Sequence, residues 1–344
     1  MNCCVACFES AYLANIISQD NSKGDCDYCE TKDTFICESS KLISFFKGIL
    51  DLFIVDADGD DIGKLILSTF NNKVFSEKLI NKGKVNFLIQ DIVKNEIDYY
   101  IDLSKNKVKF KISNEKSQQL SVSWERFSEE IKNENRFHLK NSLDLRNLAD
   151  LFLIFKKEIA KGALYYRTRI SSDSSGFPKD KMANPPNSLA KAGRANPEGI
   201  SYLYLAKEEL TGLYEVRASL FDYVTVARFE LQENISVINL SEYDVFALSE
   251  NETLEELTIN RAFIEKLEQE LSKPRRRYDS ELDYLPTQYL SEWIKSVGYD
   301  GIEFRSSLHK NGINLTIFNP SKLVALDVEV YDIIDSQFQY EKLS

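Results

Sequence analysis

Two Cys-x-x-Cys pairs, Cys4-Val-Ala-Cys7 and Cys26-Asp-Tyr-Cys29, stand 18 residues apart near the start of the chain, and no other feature limits the local fold as strongly. The gap falls within the ~15–20 residues of four-cysteine zinc sites, in which each CxxC turn presents two thiolates to one side of a tetrahedral ion. Gly24, just ahead of the second pair, suits a tight knuckle. Five of the six cysteines lie in the first 29 residues and the sixth is Cys37. In a cytosolic chain such clustering points to metal rather than to disulfides. The spacing therefore predicts a structural zinc on Cys4, Cys7, Cys26 and Cys29, with Cys3 as the alternative to Cys4 and Cys37 as a core thiol. The competing reading is a set of small, reduced core thiols. Four thiolates would close the coordination sphere and leave no open position for metal catalysis.

A chain of 344 residues predicts two domains, and 43% hydrophobic with 28% charged residues is a globular composition. No apolar run approaches the ~20 residues needed to span a bilayer. Met1-Asn2-Cys3-Cys4 lacks the basic start of a secretory signal, so a cytoplasmic location without membrane contact is expected. The net charge of -11 argues against general nucleic-acid binding, while leaving room for a local basic pocket.

In the first half, apolar spacing predicts helices over 40–53 and 84–95, and alternation predicts a β-hairpin over 99–112. Asp56-Ala-Asp-Gly-Asp-Asp61 fails as a calcium loop, since its sixth and twelfth positions are Asp61 and Leu67. It is expected to be a solvated acidic turn. Polar residues 129–141 suggest a boundary, giving domains 1–145 and 150–335. Beyond it, a helix is expected over 145–161 and strands over 164–170, 202–206, 224–231, 235–240, 301–305, 314–319 and 323–331. Further helices are expected over 208–218, 252–273 and 286–297, the second closed by Pro274, with Arg275-Arg-Arg277 complementing its dipole. The fold class is α+β, with a mostly helical, zinc-ribbon-like start and a mixed α/β second half. Residues 171–199 form a long Pro/Gly loop, which is uncommon unless it lines a site.

Within this second half the chain gathers Arg167, Arg169, Arg194, Tyr204, Glu215, Ser306 and Ser307. Guanidinium groups bind phosphates in a forked geometry, a ring stacks on a flat base, and a carboxylate stabilises an oxocarbenium ion. The set suits cleavage of a ribosyl bond in a dinucleotide. Residue by residue, a strand tyrosine is ordinarily packing and a helical glutamate ordinarily solvated, and periodicity does not assemble them.

An ordered series of short motifs does. Tyr166-Arg167, Gly193-Arg194, Tyr204-Leu-Ala206, Glu215, Pro286-Thr-Gln, Gly298-Tyr-Asp-Gly301, Ser306-Ser307 and Gly312-Ile-Asn314 follow one another over 164–320. This series resembles the RES family, named for its Arg, Glu and Ser. The resemblance implies an ADP-ribosyltransferase-like fold and an enzyme that consumes NAD as a glycohydrolase or phosphorylase. It also implies a toxin or antiphage effector, often held by an antitoxin; sequence does not choose between restraint by a separate antitoxin or regulatory protein, by homo-oligomer formation, or by the N-terminal half closing the cleft. Arg167 and Arg194 would then hold phosphates and ribose, Tyr204 would stack on the nicotinamide side, Glu215 would stabilise the ribosyl cation and Ser306 would orient substrate. Asn314 would support them from behind. Transfer of ADP-ribose to a macromolecule is the alternative activity. A zinc-ribbon sensor with a degenerate RES half is the alternative function.

Residues 239–286 exceed what compact members need. The paired cysteines of the first half resemble HEPN-like domains that precede RES domains. The Arg-x4–6-His motif of HEPN ribonucleases is missing, however, because His138 has Arg126 twelve residues upstream and Arg136 two upstream.

Overall fold

The structure, a computed structural model, describes residues 1–111, 114–248, 251–274 and 280–335. These carry eleven α-helices and divide into two compact units. One comprises Met1–Ser121 with Tyr243–Ala262, the other Val122–Glu242 with the chain from Phe263 onward. Among the described residues no helix is long and apolar enough to cross a membrane.

In the first unit Thr34–Glu38 is the middle strand of a small antiparallel sheet, between Asn2–Cys4 and Lys23–Gly24. Its core centres on Phe46, whose ring lies 5.1 Å from Phe246, 5.9 Å from Phe75 and 6.1 Å from Phe8. The segment from Tyr243 belongs to this unit for a local reason. Asp244 accepts the Ser10 hydroxyl at 2.8 Å and the Tyr12 amide at 3.1 Å. Ser10 in turn accepts the Leu13 amide at 2.9 Å, so the start of the helix Ala11–Gln19 is capped twice over.

The expected division at about 145 does not coincide with these units. The polar stretch 129–141 is tied down rather than free. The carboxylate of Glu130, at the end of the helix Asn114–Asn133, accepts the amides of Lys140 and Asn141 at 2.7 Å and the Asn141 side chain at 2.8 Å.

Three local expectations are corrected. Residues 99–112 are not a hairpin: Asp98–Lys105 is helical, and Val108–Phe110 pairs with Phe53–Asp60. Tyr99 and Tyr100 lie side by side on the helix and donate to Phe53 O and to Asp51, which the alternation of Tyr99, Ile101 and Leu103 concealed. Ile112 lies outside the described residues. The acidic run 56–61 is mostly extended, with Asp56 paired to Lys109 at 2.5 Å. The helix expected over 145–161 ends at Ile154, and Lys156–Ile159 becomes a strand.

The second unit is built on an eight-stranded mixed sheet. Its strands are β1 (Lys156–Ile159), β2 (Leu164–Ser171), β3 (Leu203–Ala206), β4 (Tyr223–Leu231), β5 (Ile235–Asn239), β6 (Gly301–Arg305), β7 (Ile313–Ile317) and β8 (Leu323–Asp332). The order is β8-β4-β2-β3-β7-β6-β5-β1, with β5 and β6 parallel and the other neighbours antiparallel. One face buries Leu205, Phe229, Val237, Leu315 and Ile317. On the other face register aligns Tyr166, Ala206, Asn314 and Phe304 in a row across β2, β3, β7 and β6. Three helices matter for this face: α1 (Glu209–Glu215), α2 (Asn251–Ser272) and α3 (Leu285–Ser296). Arg275, Arg276 and Arg277, expected beyond α2, lie outside the described residues.

Truncating Phe46 to Ala is expected to destabilise the first unit by about 3–5 kcal/mol, measured as a lower urea midpoint.

Candidate active site

The polar face of the sheet forms the floor of a cleft of about 830 Å³, a volume within the ~300–1,000 Å³ typical of small-molecule sites. Tyr166, Ala206, Asn314 and Phe304 line it from the strands, joined by Arg167, Arg194, Tyr204, Glu215 and the end of α2 at Leu271–Pro274.

Glu215 is the last residue of α1 and is exposed to the cleft. Its Oε1 accepts the Ser306 hydroxyl at 2.6 Å and the Asn314 amide nitrogen at 2.7 Å. The Ser306 oxygen meanwhile accepts the backbone amides of Leu308 at 3.1 Å and His309 at 3.0 Å. With its lone pairs so used, the serine proton is directed at the carboxylate. Ser307 faces elsewhere, donating to the Ser272 carbonyl at 2.5 Å.

Tyr204 is 37% exposed, while its hydroxyl lies under the loop before β3. The hydroxyl donates to Asn196 Oδ1 at 2.7 Å and accepts the Ala195 amide at 3.3 Å. Burial holds it well above the usual phenol range, so it remains a neutral donor. Gly193 passes directly over it: a Cβ there would stand 2.8 Å from the hydroxyl and 2.5 Å from Asn196 Oδ1. Glycine is therefore required by close approach rather than by backbone conformation.

The sequence did not reveal what fixes this loop. The Asn196 side chain donates to the carbonyls of Lys191, Pro197 and Ile200 at 2.9–3.1 Å. From α3, Gln288 donates to the carbonyls of Gly193 and Asn196 at 2.8 and 3.1 Å, and Thr287 donates to that of Arg194 at 2.6 Å. The Pro286-Thr-Gln motif is thus a buried clamp on the Gly-Arg turn. Arg194 itself lies over the Tyr284 ring, 4.7 Å from its centroid, and donates to the Glu270 carbonyl at 3.1 Å.

Arg167 is half-buried, and its Nη1 is enclosed without a hydrogen-bond partner. Burial, with Arg169 adding like-charge repulsion, brings it down to about 10. Arg169 is not part of the cleft lining. It stacks on Phe177 at 3.9 Å and donates to the Lys181 carbonyl. Among the described residues, four cations, Arg167, Arg194, Arg217 and Lys273, and one carboxylate, Glu215, line the cleft. In a chain of net charge -11 this is a local gathering of basic residues. Arg217 and Lys273 carried no motif that would have marked them.

In the first unit the sulfurs of Cys4, Cys7, Cys26 and Cys29 are buried and lie within 4.8 Å of one another. The Cys4–Cys7, Cys4–Cys29 and Cys7–Cys26 separations are 3.9, 3.4 and 3.4 Å. A tetrahedron of 2.3 Å Zn–S bonds has edges of roughly 3.8 Å, so the set fits such an ion. Hydrogen bonding to Cys26 pushes the Cys7 thiol up, and hydrogen bonding with Cys4 and then Cys7 pulls the Cys26 thiol down. Cys3 is excluded from the set, because neighbours in a strand point to opposite faces. It faces Cys37 across the sheet, with sulfurs 3.7 Å apart.

The RES domain model matches residues 165–340, just over half of the chain. The chain belongs to the RES family. The match contains the whole RES cleft and leaves 1–164 outside it, so the HEPN likeness of the first half is not carried by it. No curated protein matches the sequence. Among solved structures, a chain of the M. tuberculosis MbcT–MbcA toxin–antitoxin complex is similar at 14% identity with a TM-score of 0.32, over 54% of this chain and 91% of that one. That overlap is too loose to transfer anything from.

Replacing Arg167 with Met removes an enclosed, unpartnered charge from the RES domain. We expect the ligand-free protein to gain about 1–2 kcal/mol of stability and to lose the stabilisation that the wild type acquires from added pyrophosphate. Thermal denaturation with and without pyrophosphate measures both.

Proposed function

We propose that this RES domain consumes NAD by breaking the bond between nicotinamide and ribose. The observation that carries the reading is the Glu215 carboxylate, presented to a cationic cleft by Ser306 and Asn314. RES-family domains act on NAD, and the chemistry suits this geometry. The N-glycosidic bond breaks with its electron pair going to the nicotinamide nitrogen, which leaves as a neutral pyridine. Positive charge develops on the ribose C1′ and ring oxygen. A fixed carboxylate stabilises that charge without reorganising, as in glycoside cleavage.

In this reading Arg167 and Arg194 hold the diphosphate, and the Tyr204 ring stacks on the nicotinamide side. Ser306 and Asn314 keep Glu215 aimed at the ribose. An acceptor oxygen, from water or phosphate, then bonds to C1′ and releases its proton. A macromolecular acceptor would make the same domain an ADP-ribosyltransferase. The biological role that follows is a cytoplasmic toxin or antiphage defence effector restrained by a separate antitoxin, and it rests on the family's character.

Purified protein mixed with NAD is expected to release nicotinamide, and Glu215→Gln to lower kcat by about 10³-fold with folding intact by circular dichroism. Chromatography of the ADP-ribosyl product identifies the acceptor. Intact NAD after incubation with water, phosphate and lysate as acceptors rules the activity out.

We also assign a structural zinc to Cys4, Cys7, Cys26 and Cys29. Metal analysis should give about one zinc per chain, and Cys7→Ser should lose the metal and lower the melting temperature. Six freely titrating thiols in unchelated protein would refute the assignment.

A further inference from the structure

Loop 306–312, which carries Ser306, is fastened to α1 at a second point. His309 Nδ1 lies 2.8 Å from the Thr211 hydroxyl. Thr211 precedes Glu215 by four residues, so the two side chains stand one turn apart on the same face of α1. The loop therefore grips two successive turns of one helix, Ser306 on Glu215 and His309 on Thr211. The His309 ring also stacks on Tyr214, with centroids 4.9 Å apart and planes 4° from parallel.

Two further contacts make this a built arrangement. The backbone amide of His309 is one of the two that orient the Ser306 oxygen. Gly312 closes the turn, its amide donating to the His309 carbonyl at 3.0 Å. A Cβ at 312 would stand 2.8 Å from the Thr211 hydroxyl and 3.0 Å from His309 Nδ1. Only glycine lets the imidazole and the threonine meet. Thr211 is fully buried and His309 half-buried, so the contact is shielded from competing water.

We propose that His309 is a positioning residue. Its ring clasps loop 306–312 to α1 through Thr211 and so sets the aim of Ser306 and, through it, of Glu215. The role is geometric and involves no proton transfer. It rests on the NAD reading above only for its effect on turnover.

The test uses the full-length protein with His309→Ala, His309→Asn, Thr211→Val, Thr211→Ser and the His309→Ala/Thr211→Val double variant. Asn can offer a polar atom near the Nδ1 position, and Ser keeps the hydroxyl. Two quantities are read: residue-resolved amide exchange at Leu308 and His309, and nicotinamide release from NAD. Exchange is expected to quicken about tenfold in His309→Ala and Thr211→Val. In the same two variants kcat should fall about 10- to 100-fold with KM within about twofold of wild type. Thr211→Ser and His309→Asn should recover most of the loss, and the double variant should be no worse than either single one.

The proposal is overturned if exchange at both amides stays at the wild-type rate in His309→Ala. It is overturned equally if Thr211→Val leaves kcat unchanged, or if the two losses multiply. A wild-type protein that releases no nicotinamide would defeat the NAD reading alone, while the exchange measurement still decides whether the clasp exists.

Discussion

The cleft depends on where one carboxylate oxygen is held. Glu215 Oε1 takes a hydroxyl from the loop after β6 and an amide from β7, and each donor is itself fixed by neighbours. A helix of seven residues such as α1 is too short to be stable alone. The position of Glu215 is therefore a tertiary property, imposed by the sheet below and the loops around it. Hydrogen bonds to a charged acceptor are roughly twice as strong as neutral ones. Two of them converging on one oxygen restrain the carboxylate more firmly than its backbone does.

Regular elements of the RES domain were legible because sheet burial imposes a period of two on the sequence. Gly301–Arg305 is a strand over the expected residues, and β2, β3, β4, β5 and β7 differ from expectation by one or two residues at their ends. The same logic misread 99–112, since Tyr99, Ile101 and Leu103 alternate as on a strand, whereas they belong to a helix whose Tyr99 and Tyr100 reach back to the 51–53 segment. For the cysteines, spacing identified two pairs, but only strand alternation in three dimensions separates Cys4 from Cys3.

At the site, motif order named Arg167, Arg194, Tyr204, Glu215, Ser306 and Asn314; five of them line one cleft, and Ser306 is hydrogen-bonded to Glu215 of that lining. The expected role of Tyr204 was incomplete, because its hydroxyl is committed to Asn196. Thr287 and Gln288 act on backbone carbonyls far away in sequence, and no local pattern encodes a partner 92 to 95 residues distant. Arg217 and Lys273 reach the cleft from chain ends of α1 and α2, where a basic residue ordinarily serves the helix dipole. Their presence at the site follows from how those helices end, which periodicity does not report.

The two faces of the sheet divide the work. The apolar face carries an ion pair, Lys157 with the buried Glu303 at 2.5 Å, amid aliphatic packing. The cleft keeps like charges together, and Arg167 Nη1 has no partner there. Enclosing an unpartnered cation is unfavourable, and such a cost is tolerated only where the surrounding structure enforces it. Here enforcement comes from eight strands in register, with the clamp of α3 on the Gly193–Asn196 loop. On the proposed reading, an anion entering the cleft would supply what Arg167 lacks, and part of the stability withheld from the empty domain would return on binding. A rigid sheet can carry that deficit at its centre, whereas a site made only of loops would relax around the charge and lose the geometry that Glu215 requires.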